Sequence, residues 1–118
     1  NVDVLYAANT LEAERIIRFY QKERGYTFIE YDETLADCPG DINVLEVAGM
    51  EFDNVIITLT SHFRYNEDGV LQGNAHPNPD YSYYRLLFQS VSRTRERLCI
   101  VVIGDENLFA KVLSIQQY

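Results

Sequence analysis

Two apolar runs of strand length decide most of what this chain can fold into. "NVIITL" (residues 54–59) and "LCIVVI" (98–103) are apolar at both odd and even positions. Successive side chains of a strand point to opposite faces, so such runs need a covered surface on both sides. Sheets covered on both sides are mostly parallel ones with helices across their faces. The near-continuous apolar run from Val2 to Ala8 has the same character.

The segments between these runs fit that architecture. Asn9 is placed to cap a helix, with Glu12 three residues on as in a capping box. Ala13, Ile16, Ile17 and Tyr20 share one helical face, and Gly25 supplies the left-handed residue that ends it. Thr27 to Asp32 alternates as a second strand, and Pro39 and Gly40 break the link that follows. Ile42 to Val47 reads as a third strand, Gly49 as a tight turn, and Asn54 to Leu59 as the fourth. Residues 61–80 are irregular, with a hairpin turning at Asp68-Gly69. A helix is expected over Tyr83 to Arg97, then the strand Leu98 to Ile103. The last helix, Glu106 to Gln116, buries Leu108, Phe109, Val112 and Leu113. The order β-α-β-β-hairpin-α-β-α predicts an α/β fold, a mostly parallel sheet with flanking helices. Ligands of such sheets gather at the carboxyl ends of strands. Gly49 and Glu51 are expected just past the end of the third strand.

A length of 118 residues sets one domain, 1–118, able to bury roughly two-thirds of its unfolded surface without staples. Cys38 and Cys99 make no disulfide framework, which points to a reducing, cytoplasmic compartment. No apolar run reaches the ~20 residues of a membrane span. Ten Lys and Arg against 18 Asp and Glu give a net charge of -8. A polyanion is repelled by that balance, so any contact with nucleic acid has to be local or shared with other domains. The opening on Asn1, directly into a strand, reads as the C-terminal fragment of a larger protein.

Two segments carry chemistry. In "VAGMEFDNVII" (47–57), Gly49 lets backbone approach a phosphate, and the Glu51 carboxylate can accept from ribose hydroxyls. In "SVSRTRERL" (90–98), Arg93 and Arg97 share a face of the expected helix and present guanidinium forks suited to phosphate oxygens. Each segment also has a plainer reading, a bend between strands and a solvated helix face. No G-x-x-x-x-G-K-[ST] loop is present, so the chain cannot cradle a triphosphate and its magnesium by itself. His62, His76 and Asp80 match no metal-ligand spacing. Tyr81, Tyr83 and Tyr84 either stack on bases or close the hairpin over the core.

Together the two segments resemble motifs V and VI of superfamily 1 helicases of the UvrD/Rep type. The first motif there reads T-x-H-x-A-K-G-L-E-F-D-x-V. Gly49, Glu51, Phe52, Asp53 and Val55 match it, with Met50 for Leu. The second reads L-Y-V-A-L-T-R-A-x-E-x-L, which Leu87, Phe88, Val91, Ser92, Arg93, Glu96 and Leu98 fit. The opening strand-helix-strand resembles the start of the family's second RecA-like domain. The resemblance implies a RecA-like domain lacking the P-loop, from an ATP-dependent DNA helicase. It implies that Arg93 is an arginine finger, a device worth ~10³–10⁵ in phosphoryl-transfer rate. Gly49 would line the phosphate side of the cleft and Glu51 would hold the ribose. ATP with Mg would be bound mainly by an N-terminal P-loop domain of the parent chain, with single-stranded DNA as a further partner. The family's Thr, His and Lys, which couple nucleotide to the strand, fall at Asn43, Leu45 and Ala48. Those departures fit an alternative, a degenerate RecA-like module for protein contacts without ATPase function. The fragment alone is expected to be inactive.

Overall fold

The computed structural model describes residues 1–116. Five strands form one sheet: β1 (Val2–Ala7), β2 (Thr27–Glu30), β3 (Ile42–Asn43), β4 (Phe52–Leu59) and β7 (Thr94–Ile103). Their order is β1-β7-β4-β2-β3, and every neighbouring pair is parallel. A separate antiparallel hairpin joins β5 (Phe63–Tyr65) to β6 (Leu71–Gly73). The helices are α1 (Thr10–Arg24), α2 (Tyr83–Val91) and α3 (Glu106–Gln116). The expected α/β class and mostly parallel sheet are therefore what the chain forms.

Alternation along the two central strands creates two cores. Val55, Ile57 and Leu59 of β4, with Leu98 and Val102 of β7, point to one face. There they meet Leu86 and Leu87 of α2, Leu108 and Val112 of α3, and Phe63 of the hairpin. Ile56 of β4, with Cys99, Val101 and Ile103 of β7, points to the other face and meets Ala13, Ile17 and Tyr20 of α1. Val55, Ile56, Ile57, Cys99, Val101 and Val102 are all fully buried. Each aliphatic side chain of this kind contributes ~1.5–3 kcal/mol through removal from water.

The helix ends follow local chemistry. Asn9 Oδ1 accepts from the Glu12 N–H at 2.9 Å, and Glu12 Oε2 accepts from the Ala8 N–H at 3.3 Å. Gly25 closes α1 at φ 67°, in the left-handed region that disfavours a side chain. The hairpin turns where expected, with Gly69 at φ 77° and the Asn66 N–H donating to Val70 O.

Two expected elements end early. The third strand stops at Asn43 instead of continuing to Val47. Asn43 Oδ1 accepts from the Leu45 N–H at 3.0 Å, which starts a single 3-10 turn over Val44–Glu46. A short amide side chain competing for local backbone donors is the physical cause. The helix expected over Tyr83 to Arg97 ends at Val91, and β7 begins at Thr94. The Phe52 N–H donates to Arg93 O at 2.8 Å, and Phe52 pairs with Thr94. Ladder pairing to β4 thus takes the backbone that helical periodicity assigned to α2. Arg93 and Arg97 consequently share no helix face: Arg93 lies in the turn after α2, and Arg97 lies in β7.

Candidate functional site at the amino edge of β4 and β7

Parallel strands place all their starts along one edge of the sheet. Phe52 begins β4 and Thr94 begins β7, side by side, so the residues just before each are neighbours. Glu51 and Arg93 therefore lie at the same edge although 41 residues stand between them in the sequence. Gly49 precedes Glu51 in the turn closed by the Met50 N–H donating to Val47 O at 2.9 Å. All three residues singled out in the sequence are brought to one edge.

That edge is the amino edge, which corrects the expected position. Residues 44–51 leave the carboxyl end of β3 and return along the sheet to the start of β4, since β3 and β4 both run parallel to β2. The assumed longer third strand had placed Gly49 and Glu51 at carboxyl ends.

Arg93 is half-buried, and its Nε is buried with no hydrogen-bond partner. Its Nη2 makes one long contact, 3.4 Å, to Ser92 Oγ. Among the described residues no carboxylate forms an ion pair with it; the pairs found are those of Arg95. Burying part of a permanent charge without a counter-charge costs free energy, and an incoming anion would recover it. The local neighbourhood holds two further unpartnered buried oxygens, Thr94 Oγ1 and Asn54 Oδ1, on the same paired strand ends.

Gly49 has φ 77°, and a Cβ built on it would meet no heavy atom within 4 Å. The glycine is therefore required by backbone conformation, and the space beside it is open. Glu51 is exposed, with Arg95 Nε 3.7 Å from its Oε2 and 3.6 Å from Asp53 Oδ1. Arg95 is the member of this edge that sequence reasoning passed over, and Asp53 was matched there only as a motif position. Strand alternation sets Arg95 across from Phe52 and Asp53, where it faces the acidic pair. Arg97, opposite Asn54, is exposed.

The edge can therefore hold an anion through Arg93 and accept donors through Glu51, while exposed backbone at Gly49 leaves room for close approach. No cluster of three or more metal-ligating side chains occurs among the described residues, and no described helix is long and apolar enough to cross a membrane. His62 and His76 instead stack around Tyr83, with ring centroids 4.3 Å and 4.6 Å away. Tyr83 is buried in the core face beside Phe63, whereas Tyr81 and Tyr84 are exposed. Cys99 is buried, and burial pushes its thiol up to about 11, so it is an inert core residue.

No family model, curated protein or solved structure matches this chain.

Proposed function

We propose that this chain is the second, RecA-like motor domain of a superfamily 1 helicase-like ATPase. It completes a nucleotide site whose P-loop belongs to an N-terminal domain of the parent chain. The observation that carries the reading is the Arg93 guanidinium, partly buried with no carboxylate partner. It sits at the same sheet edge as Gly49 and Glu51. A half-buried guanidinium with no carboxylate partner fits an anionic oxygen delivered by a docked neighbour, and the residues present suit a phosphate and a ribose.

When bound on the partner domain with Mg, ATP supplies the phosphoryl group that is transferred. Arg93 offers its donors to the developing charge on the phosphate oxygens, the kind of preorganised stabilisation that lowers such barriers most. Glu51 accepts from the ribose hydroxyls, and Gly49 keeps side-chain bulk away from the phosphates. Arg95 lies beside Glu51 and Asp53 on the exposed side of the edge.

The test is the Arg93→Ala variant in the full-length parent. ATP turnover is expected to fall by ~10³-fold or more, with nucleotide binding and fold retained. Turnover near the unsubstituted rate would refute the finger role. The alternative, a protein-contact module without ATPase function, draws support from Leu45, which is 57% exposed where the family has a polar His. That reading predicts no ATPase in the parent with Arg93 intact.

A further inference from the structure

A second concavity lies at the opposite end of β4. That strand runs from Phe52 to Leu59, so its two ends are roughly 23 Å apart at ~3.3 Å per residue. The cavity, of about 500 Å³, opens beyond the carboxyl ends of β2, β3 and β4. Tyr31, Asp32 and Glu33 line it from the end of β2, His62 from the end of β4, and Tyr81 and Tyr83 from the start of α2. In parallel sheets this is where ligands are usually held.

The chemistry of the walls is aromatic and anionic. His62 lies flat on Tyr83 at 4.3 Å with 12° between the planes. His76 packs edge-on against Tyr81 at 5.5 Å. Asp32 spends Oδ1 on the Thr34 N–H at 3.2 Å, while its Oδ2 is buried with no hydrogen-bond partner. Glu33 adds a second carboxylate, and no Lys or Arg lines the cavity. A buried carboxylate oxygen without a donor is costly. Phosphate would deepen that cost, and the net charge of -8 adds to the repulsion. A cation relieves it, and aromatic faces attract cations independently.

We propose that this cavity binds an organic cation with N–H donors, a guanidinium or primary ammonium on a short carbon chain. The cationic head pairs with the Asp32 and Glu33 carboxyl groups that line the cavity and lies among the Tyr and His rings, while the carbon chain fills the remaining volume. Two sources share this chemistry, a free small molecule and a basic side chain of a protein segment. The site is independent of the nucleotide edge, so either assignment can fail without the other.

The 118-residue chain is titrated with N-acetylarginine amide while tyrosine fluorescence and amide NMR shifts are followed. Saturable binding is expected, with shifts at Asp32, Glu33, His62 and Tyr81. The neutral isostere N-acetylcitrulline amide is expected to bind at least tenfold more weakly. Asp32→Asn keeps an acceptor for the Thr34 N–H and removes the charge; it should weaken the arginine probe about tenfold with an unchanged NMR fold fingerprint. Tyr81→Ala, at an exposed ring, should weaken it as well. A short arginine-containing peptide that binds more tightly than the amide would assign the source to a protein segment, and equal affinity would assign it to a small molecule. Equal binding of the citrulline probe, no effect of Asp32→Asn, or absence of saturation by the arginine amide would overturn the proposal. Preferential binding of guanosine would also overturn it and make the cavity a base site.

Discussion

The Phe52 N–H donates to the carbonyl of Arg93 at 2.8 Å, binding the start of β4 to the turn that leads into β7. With the β4–β7 ladder, this bond joins the two segments that carry the candidate chemistry. Because it uses only backbone, the position of the Arg93 turn does not depend on the Arg93 side chain.

Arg93→Ala should therefore leave the fold intact. The guanidinium has no ion pair among the described residues, and its loss removes a partly buried unpaired charge. Stability is expected within about 0.5 kcal/mol of the unsubstituted chain, read from urea midpoints. A loss of 2 kcal/mol or more, on the order of a broken buried network, would mean that the side chain is structural.

Gly49→Ala tests backbone conformation separately from crowding. A methyl group meets nothing within 4 Å, but φ is 77°. The expected cost is ~1 kcal/mol, from left-handed strain alone. An unchanged urea midpoint would show that the turn relaxes to negative φ.

Arg95 tests how much the exposed charges at this edge contribute. Its distances to Glu51 and Asp53 are 3.7 and 3.6 Å, with all three side chains about 60% exposed or more. A double-mutant cycle of Arg95→Ala with Glu51→Gln should give a coupling below ~1 kcal/mol, vanishing near 1 M salt. A larger coupling that persists in salt would show Glu51 to be locked in place.

Alkali should unfold the chain through buried acids that stay neutral in the fold. Burial raises the Cys99 thiol from 9.0 to about 11, and raises Tyr31 well above 10.0. The unfolded chain releases these protons first, so it binds fewer protons than the fold over that range. Stability is then full below about pH 9 and falls as pH rises, with the Cys99 contribution lost between about 9 and 11. Cys99→Ala should flatten that part of the urea-midpoint profile, and Tyr31→Phe the part above pH 10. The Tyr31 variant also loses the phenol's hydrogen bond to Thr58 O. Identical slopes in both variants and the unsubstituted chain would show that these groups do not control alkaline unfolding.

What the sequence determined by itself is the set of properties fixed by local periodicity and local hydrogen bonding. Runs apolar on both parities required a doubly covered sheet, and Ile56 and Ile57 are indeed buried on opposite faces. Asn9 with Glu12, Gly25 and the Asp68-Gly69 turn were legible because each satisfies its partners within a few residues. Gly49, Glu51 and Arg93 were legible as residue types in a pattern. Their meeting was not, because it depends on two distant strands starting in register. Tertiary pairing decided where α2 stops, that Arg95 faces Glu51 and Asp53, and which edge of the sheet carries Gly49, Glu51 and Arg93. It also decided that Asp32, His62 and Tyr81 surround one cavity. Interactions between segments far apart in sequence offset one another's costs only once the sheet has closed, and no window along the chain contains them.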